Sequence, residues 1–276
     1  MDNKFNINAT TVLNNGVQMP VLGLGTWQIT GEAAEKAVGW ALKSGYRHID
    51  TATAYHNEVN VGKALAESGV SRKDLFITTK LWNTDHGYDN TIAALEKSLR
   101  DLGLTYVDLY LVHWPVSGMY TETWKAMEHL LAADKCRAIG VSNFTIRHLD
   151  ELLKEALVIP AVNQMEFSPY LYQKDLLDYC NSKKIQVEAY SPLTRGNQLD
   201  DPELASIAAK YGKSTAQILI RWSLQSGLVV IPKASSLKHI QENADVFDFE
   251  ISAEDMQKVT SFHKDLRICW NPEKEA

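Results

Sequence analysis

Asp50, Tyr55, Lys80 and His113 are the residues of this chain whose types and placement suit proton chemistry. Asp50 closes a short run, Tyr46-Arg47-His48-Ile49, that reads as a strand, and Tyr55 follows five residues later across a turn. Lys80 ends a second such run, Phe76-Ile77-Thr78-Thr79, and His113 a third, Val107 to Val112. A free phenol, with a pKa of about 10, is a weak acid at neutral pH. An ammonium beside it favours the phenolate, so Lys80 is expected to lower the pKa of Tyr55. Asp50 would hold Lys80 charged and aimed, while His113 would fix the oxygen of a bound carbonyl or share its proton. Such an assembly is a general acid for an oxygen on which negative charge develops. Each residue alone has a plainer role. An aspartate after a strand commonly caps a turn, a lysine can snorkel to solvent, and His113 can simply pack beside Trp114. Only an architecture that gathers these strand ends makes a site of them.

The rest of the sequence predicts one. Thr11-Val12-Leu13 and Val17-Gln18-Met19 flank Asn14-Asn15-Gly16, a hairpin signal ahead of the main body. Val21 to Gly25 reads as a first buried strand. Ala34, Ala37, Val38, Ala41 and Leu42 then repeat at helical spacing, and Gly45 suits the left-handed stop of that helix. A further helix is expected from about Asn57 to Glu67, and Ile92, Leu95, Leu99 and Leu102 line another that Gly103 closes. Strands follow near Arg137 to Val141, Ala161 to Met165, Ile185 to Tyr190 and Leu228 to Ile231. Leu149, Leu152, Leu153 and Ala156 form one helical face between them, and Ser214 with Gln217 forms a capping box. Eight buried strands alternating with helices imply parallel β-structure. In about 250 residues that is the (β/α)8 TIM barrel, here a single domain over 1–276 with an N-terminal β-hairpin. An open doubly wound sheet is the runner-up, but Gly23-Leu24-Gly25-Thr26-Trp27-Gln28 has Gln where the third glycine of a dinucleotide fingerprint belongs. In a barrel, active sites lie at the C-terminal strand ends. Neighbouring strands are about 4.8 Å apart, so Asp50, Lys80 and His113 would meet within roughly 10 Å, with Tyr55 above them.

Composition narrows the class. The 276 residues are 45% hydrophobic and 22% charged, with a net charge of −6, and no dense basic stripe invites nucleic acid. No apolar run reaches membrane-spanning length, and Met1-Asp2-Asn3-Lys4-Phe5 lacks the apolar core of a signal peptide. Cysteines at 136, 180 and 269 are too few and too scattered for a disulfide frame or a zinc site. No metal-ligand set is found. A cytoplasmic monomer acting on a small molecule is expected.

Asp50-Thr51-Ala52-x-x-Tyr55-x-Asn57-Glu58, Thr79-Lys80-Leu81-Trp82 and Leu111-Val112-His113-Trp114-Pro115 closely resemble the motifs of the aldo-keto reductases. The likeness continues through Gly140-Val141-Ser142-Asn143-Phe144, Asn163-Gln164-x-Glu166, Ala189-Tyr190-Ser191-Pro192-Leu193 and Ile231-Pro232-Lys233. It covers nearly the whole chain and is nearest to small microbial and protozoan members of the 2,5-diketogluconate reductase and prostaglandin F synthase kind. The resemblance implies NADPH-dependent reduction of aldehydes and some ketones, with an extended cofactor, NADH being a weaker alternative. Tyr55 would be the acid, supported by Lys80, Asp50 and His113. Ser142, Asn143 and Gln164 would hold the carboxamide and Tyr190 would stack on the nicotinamide. Thr26, Ser191 and Leu193 would follow the ribose and pyrophosphate. Lys233, with Ser235 and His239 nearby, would meet the adenosine phosphate, with Glu242 and Asn243 near the adenine. Trp27, Trp82 and Trp114 would wall the substrate slot. Glu166, Glu188 and His48 read as structural.

The sequence also departs from the family's pattern. Ser168-Pro169 stands where His-Pro is frequent, and Leu193-Thr194-Arg195-Gly196 where Leu-Gly-x-Gly is usual, which bears on the clamp over the pyrophosphate. His239 occupies the place of a common arginine, so a modest preference for NADPH is expected. Cys269-Trp270-Asn271-Pro272 is a short C-terminal segment, so the slot is expected to be open on that side. Two rivals remain: a Schiff-base aldolase using Lys80, and a cofactor-sensing regulatory subunit with little turnover.

Overall fold

Successive strand residues face opposite sides of the sheet, and that alternation decides which side chains enter the barrel. The computed structural model describes residues 6–274; Met1 to Phe5, where no leader was expected, lie outside them. A hairpin, β1 (Thr10–Val12) and β2 (Gln18–Pro20), comes first. The barrel strands are β3 (Gly23–Gly25), β4 (His48–Asp50), β5 (Phe76–Leu81), β6 (Val107–Val112), β7 (Cys136–Ser142), β8 (Val162–Glu166), β9 (Gln186–Tyr190) and β10 (Val229–Val230). Around them run α1 (Gly31–Lys43), α2 (Glu58–Glu67), α3 (Tyr88–Leu102), α4 (Tyr120–Ala132) and α5 (Ile146–Leu152). The helical layer continues with α6 (Lys174–Ser182), α7 (Pro202–Tyr211), α8 (Thr215–Gln225), α9 (Leu237–Ala244) and α10 (Ala253–Thr260). The barrel strands pair in sequence order, all parallel. Parallel bridges Leu22–Val230 and Gly25–Lys233 bring the two edges together. The fold is a (β/α)8 barrel with an N-terminal hairpin.

Along β5, Ile77 and Leu81 pack into the helical layer, while Phe76 belongs to a separate cluster with Leu109, Leu111, Ala138, Val162 and Val229. That second cluster is the floor of the lumen. Leu13 and Met19 of the hairpin join it, and Asn14 and Asn15 donate to the carbonyls of Pro160 and Arg137. The hairpin therefore stoppers the N-terminal end of the barrel. Lys80 shares the parity of Phe76 and points into the lumen above this apolar floor.

Local signals behave as their chemistry requires. Gly45 has φ +98°, and a Schellman pair closes α1: Tyr46 N–H donates to Ala41 O at 3.0 Å and Gly45 N–H to Leu42 O at 3.2 Å. Ser214 and Gln217 exchange the two bonds of a capping box, a device contributing about 1 kcal/mol. Several elements are shorter than expected, β10 and α5 among them. β10 stops at Val230 because Pro232 has no N–H to extend the ladder. α5 ends at Leu152, before the Leu153–Ala156 part of its apolar face. The long gap before β10 holds both α7 and α8. No helix among the described residues is long and apolar enough to cross a membrane.

Candidate active site

Lys80 is the hub. Its Nζ donates to Asp50 Oδ1 at 2.6 Å, to the Thr51 carbonyl at 2.9 Å and to Tyr55 Oη at 3.3 Å. Three donors meet three acceptors, so the ammonium is saturated. Lys80 is 0% exposed and Asp50 1%. Tyr55 stands on a short 3-10 turn, Thr53–Tyr55, which Thr53 ties to β5 through its bond to Lys80 O at 3.1 Å. Asn57 braces the loop from the other side: it accepts from Thr51 Oγ1 and donates to the carbonyls of Thr26 and Ile29. Thr26 Oγ1 in turn donates to Asp50 O at 2.8 Å. The Asn57 of the motif thus positions the phenol without touching it.

Electrostatics correct one expectation. Burial opposes the charge on Lys80, but Asp50 and Tyr55 outweigh it and hold the ammonium above the usual lysine range. Burial raises Asp50, against the opposing pull of Lys80 and of Gln164, whose Nε2 donates to Asp50 Oδ2 at 2.8 Å. Tyr55 was expected to be lowered; instead burial pushes it up to about 12, because removing the phenolate from water costs more than Lys80 returns. The phenol therefore keeps its proton at neutral pH. Burial and the Lys80 charge drive His113 well below the usual histidine range, so the ring is neutral and can donate a hydrogen bond without being an acid.

A cavity of about 1020 Å³ opens over these groups at the C-terminal end of the barrel. Asp50, Tyr55 and His113 line it, as do Ser142, Asn143, Gln164, Tyr190, Ser191, Leu193, Lys233 and the three tryptophans Trp27, Trp82 and Trp114. Thr26 is buried behind the wall. Ser235, His239, Glu242 and Asn243 do not line the cavity; His239 is exposed on the first turn of α9, whose N-terminus Ser236 caps. Trp82 packs edge-on against His113, with ring centroids 5.2 Å apart.

The donor set fits a nicotinamide carboxamide. Both hydrogens of Gln164 Nε2 are committed, to Asp50 and to Glu188, which leaves the amide oxygen to accept. Ser142 Oγ accepts from Asn143 Nδ2 at 3.1 Å, leaving its own hydrogen to donate. Tyr190 Oη is anchored to Asn143 Oδ1 at 2.7 Å, which fixes the ring at the cavity wall.

Two features lay beyond the sequence reading. The C-terminal segment does not leave the slot open: Ile268, Cys269 and Trp270 line the cavity. The cause is Glu166, whose carboxylate accepts from Ile268 N–H at 2.7 Å and Cys269 N–H at 3.1 Å. Trp270 then leans on Trp114, with centroids 5.6 Å apart. The other feature is the 194–196 turn, where Thr194 (φ 50°) and Arg195 (φ 53°) adopt left-handed backbone without glycine. Gln28, His56, Asn143 and Ser191 also have positive φ beside the cavity. Such conformations cost about 1–2 kcal/mol each and cluster where geometry serves a site.

The model of the Aldo/keto reductase family matches residues 21–264. Glyoxal reductase of Bacillus subtilis is 53% identical over 266 residues, 96% of each chain. The 9,11-endoperoxide prostaglandin H2 reductase of Trypanosoma cruzi is 46% identical over 272 residues, 97% of this chain and 96% of the relative. Among solved structures, the Bombyx mori aldo-keto reductase in complex with NADP superposes with a TM-score of 0.90 at 37% identity, covering 96% of both chains.

Proposed function

This chain belongs to the aldo/keto reductase family, and from that premise we propose that it reduces aldehydes and reactive ketones, short 1,2-dicarbonyls among them, with NADPH. The observation that carries the reading is the Lys80 ammonium bonded to both Asp50 and Tyr55 at the cavity floor. The similarity to a glyoxal reductase and to an NADP complex supports the substrate class and the cofactor. When bound, the reduced nicotinamide supplies the hydride.

The chain's own residues would do the rest. Tyr55 delivers its proton to the carbonyl oxygen as negative charge develops there. With a phenol raised to about 12, the transfer depends on Lys80 stabilising the phenolate left behind. Asp50 keeps that ammonium charged and aimed. Neutral His113 donates a hydrogen bond to the same oxygen. Its Nδ1 is buried without a partner, so Nε2 is the ring nitrogen free for this. Ser142 and Gln164 orient the carboxamide, Tyr190 stacks on the ring, and the tryptophans exclude water. An apolar slot discriminates by only about 1–3 kcal/mol per methylene, so broad substrate acceptance follows.

Nicotinamide absorbance with NADPH, with and without 4-nitrobenzaldehyde or methylglyoxal, tests the reading. Oxidation of NADPH that requires the carbonyl is the expected result. Binding of NADPH without turnover would favour the regulatory rival, and carbon–carbon chemistry without NADPH the aldolase.

A further inference from the structure

Glu188, on β9, has no role in the reading above, yet its side chain is 0% exposed inside the barrel. The Gln164 amide nitrogen donates at 2.8 Å to Glu188 Oε2 and at 2.8 Å to Asp50 Oδ2. One NH2 group thus joins the two carboxyls, and the bonded oxygens stand no farther apart than twice that distance. The titratable groups facing Glu188 are His48 and Asp50 of β4 and Lys80 of β5. Its sheet neighbours contribute none: Gln164 comes from β8, and Val229 of β10 is its register partner.

Charge counting gives the role. His48 Nε2 lies 3.5 Å from Glu188 Oε1, but burial and the Lys80 charge push the imidazole down to about 3, so it brings no positive charge. Lys80 is then the single cation for two carboxyls, and its three protons go to Asp50, Thr51 and Tyr55. Glu188 Oε1 has no hydrogen-bond partner. A second buried carboxylate with one bare oxygen and no cation is strongly disfavoured. A proton on Oε1 cancels the charge and gives the bare oxygen an O–H on the side of His48 Nε2, which lies 3.5 Å away and also pairs with Thr78 Oγ1 at 3.2 Å.

We propose that Glu188 is a positioning residue, kept as the neutral acid, which through the Gln164 amide holds Asp50 against Lys80 and leaves the Lys80 ammonium available to Tyr55. Its kinetic consequence rests on the reading of Tyr55 as the proton donor; its protonation does not. Burial and the Asp50 charge push Glu188 up to about 8, so the neutral form holds below that pH and is lost as the pH rises through it. The new negative charge then repels Asp50 and competes for the ammonium, and support for Tyr55 weakens. Tyr55 and Lys80 themselves lie higher and do not account for a change near that pH.

Two arms test this. Infrared difference spectra of the wild-type chain between about pH 6 and pH 10 are expected to lose a buried carboxylic-acid C=O band that Glu188→Gln lacks. In the kinetic arm, wild-type kcat with NADPH and 4-nitrobenzaldehyde, normalised at pH 7, is expected to fall at least about fivefold by pH 9.5. Glu188→Gln, which mimics the neutral acid, is expected to stay level over the same range. Absence of a titrating acid band in the wild type, or its persistence in the variant, overturns the protonation. A variant that keeps the wild-type alkaline fall overturns the action on Lys80. The wild-type infrared arm needs neither turnover nor a folded variant, so absence of a titrating band there overturns the protonation even where no carbonyl reduction is found.

Discussion

The Arg195 guanidinium lies over the Trp27 indole, 4.4 Å from the ring centroid, and also donates to Cys269 Sγ at 3.1 Å. The contact joins the turn after β9 to the loop after β3 and to the C-terminal segment, so it spans the cavity. The missing glycine at 194 therefore does not abolish a strap over the groove. Arginine provides its clasp. An exposed cation–π pair contributes about 0.5–1 kcal/mol, so Arg195→Ala should speed NADPH release about threefold. Stopped-flow tryptophan fluorescence measures it, and an unchanged release rate would remove Arg195 from cofactor retention.

Glu166 should control the C-terminal wall. Two charge-assisted bonds to Ile268 and Cys269 hold the segment, each contributing about 1.5–3 kcal/mol. Glu166→Ala is expected to free it, speeding amide exchange at Ile268 and Cys269 at least about tenfold and raising KM for aromatic aldehydes that pack on Trp114 and Trp270. Unchanged exchange would mean that other contacts hold the segment.

The barrel was legible because its signals are local. The buried strand runs, Gly45 and the Ser214–Gln217 box each announce an element without reference to distant residues. The gathering of Asp50, Lys80 and His113 follows from strand order alone, since all three end neighbouring parallel strands. What the sequence hid was long-range. Nothing near Glu166 says that it reaches residues more than a hundred positions later, and nothing near Arg195 announces Trp27. The pKa of Tyr55 went the wrong way for a related reason: the Lys80 charge is readable from chain order, but the desolvation opposing it depends on how tightly everything else packs.

Lys80 should not form a Schiff base. All its donors are occupied and Asp50 keeps it protonated, so it has no lone pair to attack a carbonyl. Incubation with substrate and borohydride is expected to leave the mass unchanged. A stoichiometric adduct mapped to Lys80 would place the protein among aldolases.

His239 sits exposed on the first turn of α9, where a helix N-terminus and Lys233 suit a phosphate. Arginine there would add a bidentate fork, so His239→Arg should raise the NADPH/NADH ratio of kcat/KM by about tenfold. His239→Ala should lower it. Equal ratios in all three proteins would show that position 239 does not read the phosphate.

The central claim is that Tyr55 gives the proton, and Tyr55→Phe tests it most directly. Phenylalanine keeps the ring beside His113, whose centroid is 5.7 Å away, and removes only the hydroxyl that Lys80 holds at 3.3 Å. Single-turnover kcat for 4-nitrobenzaldehyde, read together with NADPH affinity by fluorescence quenching, is the measurement. The account predicts a loss of at least about 100-fold in kcat with affinity unchanged within about twofold. A variant that binds NADPH normally and keeps more than a tenth of the wild-type rate would contradict it.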